Sequence, residues 1–221
     1  MVILGISCFY HDAAAALLIE GKIVAAAAEE RFSRKKHDNS FPAHAIAFCM
    51  TKAGLDYKNI DYVVFYEKPF VKFERILRTH IQYFPFGFST FNKAIPIWIK
   101  ERIDMQRTIT KELRKLSRGK QICDIRFAEH HISHASMAYH TSGFNDAAIL
   151  VVDAVGERAT NSIMYGHGDH IKLIKQQHFP HSIGLLYSSV TYYLGFKVNS
   201  DEYKVMGLAP YGITSSAIRT S

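Results

Sequence analysis

Hydrophobic positions open the chain as three short runs, Val2–Cys8, Ala13–Ile19 and Ile23–Ala28, each of strand length. Gly21-Lys22 after Glu20 predicts a hairpin turn between the second and third. The polar stretch EERFSRKKHDNSFP reads as a basic loop. Pro42 then opens a helix reaching about Ala53, and Gly54 stops it. IDYVVFYE is a further strand. From Phe70 the pattern turns aromatic, in FVKFERILRTHIQYFPFGFSTF, and a long helix follows. Its Ile95, Ile99, Ile103, Ile109, Leu113 and Leu116 keep helical spacing. The opposite face carries Lys100, Arg102, Arg107, Lys111, Arg114 and Lys115, which reads as a solvated face, with an acidic partner as the lesser reading. Residues 70–118 are therefore predicted to be an insertion between strands.

CDIRFAEH is the next strand, and its C-terminal end leads into a helix expected over His131–Thr141. After Gly143 the opening pattern returns: DAAILVVDAVGE, ATNSIMYGHG and HIKLIKQQHF are strand candidates, and SIGLLYSSVTYYLG is a helix stopped by Gly195. A strand–strand–strand–helix order thus occurs twice. Two such units describe an α/β fold of the actin-like ATPase type, a duplicated ribonuclease-H-like architecture with nucleotide between lobes. The predicted division is a first lobe over 1–142, the start of a second over 143–212 and a divergent tail over 213–221, leaving the second lobe incomplete.

Composition narrows the class. The 27 Lys and Arg outnumber the 20 Asp and Glu, giving a formal charge of +7; that favours anionic ligands without itself indicating nucleic acid. Three widely separated cysteines, Cys8, Cys49 and Cys123, form neither a disulfide framework nor a CxxC motif. The apolar start is broken by His11 and Asp12, so it reads as neither a leader nor a membrane span. The expectation is a cytoplasmic protein with no membrane or nucleic-acid partner.

Chemistry concentrates in AEHHISHASMAYH. His130 and His134 are i and i+4, so both imidazoles project from one helix face and can share a cation. His131 points about 100° away and reads as packing or support. Asp153 ends an apolar strand, where a carboxylate is costly unless it has a partner. Two imidazoles and a carboxylate form an open site for Fe(II), Mn(II) or Zn(II), although HxxxH taken alone is a weak signal. His11, beside Asp12 at a strand end, either lines a cleft or lies on the surface. GFKVNSDEYKVMGLAPYG, with Lys204, reads as a glycine-rich loop that is either an anion-approaching segment or ordinary surface.

With these residues in place, the chain resembles the N-terminal part of the O-carbamoyltransferase family, which includes nodulation-factor and antibiotic-tailoring enzymes. The likeness runs from about Ile3 to Gly212. It is carried by GISCFYHDAAAALL, EERFSRKKHD, FYEKPFVKFER, EHHISHASMAY, VVDAVGE, GLLYSSVTYYLGFKVNS and EYKVMGLAPYG. The resemblance implies an actin-like domain, similar to the tRNA threonylcarbamoyladenosine synthase subunit, followed by a YrdC-like domain. In the family the latter makes carbamoyl adenylate from carbamoyl phosphate and ATP, and the former transfers the carbamoyl group to an acceptor hydroxyl. It also implies that His130, His134 and Asp153 are ligands of a divalent metal, commonly iron. Asp12 or His11 would orient or deprotonate the acceptor. Arg31, Asp153, Gly156, Glu157 and Lys204 would approach the nucleotide.

Two positions depart from the family pattern: Ala154 and Asp201 stand where the family usually has glycine. After Gly212 the stretch ITSSAIRTS shows no likeness, and neither the remaining metal carboxylate nor a YrdC-like domain follows. The expectation is a truncated carbamoyltransferase that acts only with a separate YrdC-like or C-terminal partner. The alternatives are a non-catalytic remnant binding metal or nucleotide weakly, and an actin-like kinase or ATPase of other specificity.

Overall fold

The computed structural model describes residues 1–10, 12–86, 88, 92, 104–119 and 123–212. The chain divides into two compact units, Met1–His134 and Ala135–Ser221.

In the first unit, β1 (Val2–Ser7), β2 (Ala14–Ile19) and β3 (Lys22–Ala28) form an antiparallel meander. The β2–β3 turn has Glu20 and Gly21 both at positive φ, 49° and 74°, the backbone that a tight two-residue hairpin requires. Strands β4 (Tyr62–Phe65) and β5 (Asp124–Phe127) then add in parallel beside β1, giving the order β3-β2-β1-β4-β5. Side chains alternate between the two faces of β1. Leu4 and Ile6 enter the core with Leu17, Val63 and Phe65, whereas Gly5 and Ser7 turn to a face lined by small residues. On that face Ala14, Ala16, Ala26 and Ala28 border an open cavity of about 550 Å³.

Helix α1 (Glu30–Ser33) is a single turn ended by Arg34 in the left-handed region. Helix α2 (Ala43–Ala53) covers β2 and β3 with Ala45, Ile46, Cys49 and Met50, and Gly54 at φ 66° ends it. Its N-terminus is closed by a residue distant in sequence. The buried Glu29 carboxylate accepts from the backbone N–H groups of His44 and Ala45, at 3.1 and 2.8 Å, satisfying two helix-start donors and opposing the positive end of the helix dipole.

Helix α3 (Pro69–Gln82) occupies the stretch whose aromatic pattern gave no helix from sequence. Proline at its first position suits a helix start, and the turn it buries holds Lys72 rather than an aromatic; Phe70 and Ile81 are exposed. Helix α4 (Met105–Leu116) sets Ile109 and Leu113 into the core, as their spacing predicts. The expected helical residues Ile95, Ile99, Lys100, Arg102 and Ile103 lie outside the described residues.

Helix α5 (His130–Ser142) follows β5, and the division between units falls within it, after His134. The second unit repeats the opening motif of the first. Strands β6 (Asp146–Val152), β7 (Ala159–His167) and β8 (His170–His178) form an antiparallel sheet, followed by helix α6 (Ile183–Tyr193) against β7. The recurrence bears out the expected α/β class of actin-like type. Gly166 admits the Tyr139 ring so closely that a Cβ there would lie 2.5 Å from it, and the Tyr139 hydroxyl is shared between the carbonyls of Asn145 and Gly168 at 2.7 and 3.0 Å. Two loop expectations fail: the stretch read as a basic loop contains α1, and Glu202–Leu208, also read as loop, forms helix α7. The density of Gly and Pro around it hid a turn whose start Asp201 occupies.

Candidate functional site

The histidine cluster stands at a parallel strand end. The β4–β5 pairing is extended by the Ala128 N–H donating to the Phe65 carbonyl at 2.9 Å. Residues beyond both strands are thereby brought side by side, and α5 begins two residues later with His130. Helical geometry then does what i, i+4 spacing implies: the Nε2 atoms of His130 and His134 lie 3.1 Å apart. Two nitrogens about 2.05 Å from one cation are roughly 3.4 Å apart at a tetrahedral angle and about 2.9 Å at a right angle. The observed separation falls between, so the pair fits a shared divalent metal. His131 is buried, its ring 6.0 Å from that of His130.

The segment after β4 docks on this helix start at several points. The Ser133 hydroxyl donates to the Tyr66 carbonyl at 2.9 Å, and the Lys68 ammonium meets Glu129 at 2.8 Å. Between them Glu67, buried, approaches His130 Nδ1 at 3.7 Å. Glu67 is also paired with buried Lys72 at 3.1 Å, whose ammonium sits 3.8 Å from the centre of the Tyr10 ring. Burial alone would raise the Glu67 carboxyl, but the His130 imidazole and the Lys72 ammonium outweigh that and hold it below the usual carboxylate range. Sequence reasoning missed Glu67 and Lys72. The available signal was an acidic residue directly after the apolar strand in VVFYEK.

Asp12 follows β1, with its backbone carbonyl accepting from the Ser7 hydroxyl. Its carboxylate faces His37 Nδ1 at 3.1 Å, both side chains about half exposed. The basic loop brings His37 there because it is tied back to the β1–β2 connection: Phe9 and Ala13 donate to the carbonyls of Asn39 and Asp38 at 2.7 and 2.6 Å. The Asp38 carboxyl is held down to about 2 by the Ser33 hydroxyl and by the Ser40 backbone and side chain. His11 lies outside the described residues. Arg31 is exposed with Glu30 3.9 Å away, and Lys204 pairs with Asp201 at 3.0 Å. Both predicted phosphate-facing cations therefore engage carboxylates.

In the second unit Asp153 is the residue after β6. Its backbone N–H donates to the Thr160 carbonyl at 2.8 Å, and its carboxylate accepts from the Ala154 N–H at 2.6 Å. Gly156 and Glu157 are buried in the same turn, where the Gly156 N–H donates to Ala159 at 3.0 Å. The start of α6 clamps this turn. The Ser182 hydroxyl caps the helix by accepting from Leu185 N–H and contacts the carbonyls of Asp153 and Ala154 at 3.0 and 2.6 Å. A Cβ on Gly184 would come within 2.6 Å of the Asp153 and Ala154 backbone. No sequence signal marked Ser182 or Gly184 as supports of Asp153.

The family model described as carbamoyltransferase N-terminus matches residues 2–221. The uncharacterized protein sll1178 of Synechocystis sp. is 51% identical over 95% of this chain and 34% of its own length. The nodulation protein NolNO of Sinorhizobium fredii is 34% identical over 92% of this chain and 28% of its own. The uncharacterized protein MJ1051 of Methanocaldococcus jannaschii is 30% identical over 95% and 33%. The chain thus spans about a third of the length of these relatives. Among solved structures, YeaZ from Pseudomonas aeruginosa matches with a TM-score of 0.38 and 14% identity, over 81% of this chain and 69% of that one.

Proposed function

The chain belongs to the carbamoyltransferase N-terminus family, and from that premise we propose that it is the N-terminal part of an enzyme transferring a carbamoyl group from carbamoyl adenylate to an acceptor hydroxyl. The observation that carries this reading is the approach of His130 and His134 Nε2 to 3.1 Å. In the proposal these two imidazoles and the Asp153 carboxylate hold a divalent metal, Fe(II) foremost. Bound there, the metal supplies a Lewis acid and a template for oxygens of the nucleotide.

The chain's own residues supply the rest. Asp12 accepts the proton of the acceptor hydroxyl as its oxygen attacks the carbamoyl carbonyl carbon; the bond from that carbon to the phosphate oxygen breaks, and AMP leaves with the electron pair. His37, at 3.1 Å from Asp12, orients that carboxylate. Gly156 and Glu157 shape the turn that presents Asp153. Because the relatives are about three times longer than the matched region, the proposal assigns formation of carbamoyl adenylate to sequence beyond it, of the YrdC-like type.

Anaerobic calorimetric titration of Fe(II) and Mn(II) into the chain tests the metal site beside a His130→Ala/His134→Ala variant. Binding by the wild type and its loss in the variant is the expected result. A folded wild-type chain that takes up neither ion overturns the site. Transfer of labelled carbamoyl from carbamoyl phosphate and ATP to a hydroxyl acceptor, with the C-terminal part of a relative supplied, tests the reaction. ATP-dependent phosphorylation of the acceptor instead would replace the reading by a kinase.

A further inference from the structure

We propose that Glu67 is a positioning residue for His130, holding the imidazole in the tautomer that carries its proton on Nδ1 and turns the Nε2 lone pair toward His134. The inference deepens the metal reading above and rests on it.

Burial is the first ground. Glu67 and Lys72 are 2% and 5% exposed, and a buried ion pair is generally no more stabilising than apolar residues of the same volume. Packing alone therefore gives no reason for two buried charges between the end of β4 and the first turn of α3. Geometry supplies one. Lys72 forms an ion pair with Glu67 Oε2 at 3.1 Å, and the same oxygen faces His130 Nδ1 at 3.7 Å. That separation is longer than a hydrogen bond, so the influence is electrostatic: negative charge on the Nδ1 side favours the proton there. The Nε2 lone pair is then directed at the opposite side, where His134 Nε2 stands 3.1 Å away. A carboxylate behind a ligating imidazole fixes its tautomer and raises its basicity.

The supporting contacts are aimed at the same helix turn. Glu129, directly before His130, and Ser133, nearly one helical turn after it, hold Lys68 and Tyr66, which flank Glu67. The carboxylate is thus located by its chain neighbours on both sides, and its position relative to His130 does not depend on a flexible side chain alone.

Glu67→Gln preserves the shape and removes the charge. Glu67→Gln/Lys72→Met also removes the counter-charge, which keeps a folded protein available if the single change leaves Lys72 uncompensated. Long-range proton–nitrogen NMR of imidazole-labelled, metal-free protein reports the His130 tautomer, and calorimetry with Mn(II) reports affinity; circular dichroism confirms folding. Wild type is expected to show the Nδ1-protonated form, with a shift toward a mixed population in both variants. Mn(II) affinity should fall roughly 10–100-fold. Unchanged tautomer and affinity in a folded variant overturn the role of Glu67. Wild-type protein that fails to bind Mn(II) overturns the metal reading instead, while the metal-free spectra still decide whether Glu67 governs the imidazole.

Discussion

Gly184 is a single residue on which the position of Asp153 depends. Its missing Cβ lets the first turn of α6 touch the Asp153–Ala154 backbone, which a methyl group would meet at 2.6 Å. Backbone cannot step aside as a side-chain tip can, so Gly184→Ala should cost about 1–3 kcal/mol in unfolding free energy. On the metal reading proposed above, it should also weaken Mn(II) binding by displacing Asp153. Gly207→Ala is the control, because a Cβ there meets nothing within 4 Å. Equal denaturant midpoints and equal affinities for the two variants would remove Gly184 from the site. At this scale the histidine pair was legible, since i, i+4 spacing on a helix converges whatever surrounds it. Glu67, Ser182 and Gly184 were not, because each acts on residues brought near only by folding.

At the scale of elements, the β6–β7 ladder is secured at its outer end by a polar cluster. Asp146, opening β6, accepts from the Tyr165 hydroxyl and faces His167 Nδ1, both at 2.6 Å. The Tyr165 hydroxyl, then His167 and Asn145, hold the Asp146 carboxyl down to about 2 from an ordinary 3.8. Because the folded value is depressed, the ionised form favours the folded sheet. The contribution is complete above about pH 4 and is lost as pH falls through about 2. Carboxyl-carbon NMR should place Asp146 near 2 in the wild type and closer to 3.8 in Tyr165→Phe, whose acid unfolding should begin at higher pH; coincident titrations would exclude the cluster as the cause. Strands of alternating or continuous apolar character were read correctly, as were helices bounded by Pro42, Gly54 and Gly195. The α3 and α7 segments escaped because aromatic density in one and Gly and Pro in the other concealed helices whose buried faces are small.

Across the whole molecule, the second unit exposes a broad apolar surface. Leu150, Val152 and Ile163 face outward from its sheet, and Leu186, Val190, Tyr192 and Tyr193 from α6. Leu150 and Ile163 pair directly across β6 and β7, and grouped exposed apolar side chains favour association. The 221-residue chain on its own should bind a hydrophobic dye and sediment as concentration-dependent oligomers; a monomer that binds no dye and unfolds in one cooperative transition would contradict this. No helix among the described residues is long and apolar enough to cross a membrane. The sequence by itself determined what depends on neighbours along the chain: the strand and helix periods, their stops, the repeated strand–strand–strand–helix order and the paired imidazoles. Only the tertiary structure decided which distant groups meet them. Glu29 reached the start of α2, His37 reached Asp12, and Glu67 with Lys72 came behind His130. For Glu29 and Glu67 the physical reason is that a buried charge is tolerated only where folding supplies its partner, and that partner has no required spacing in the chain.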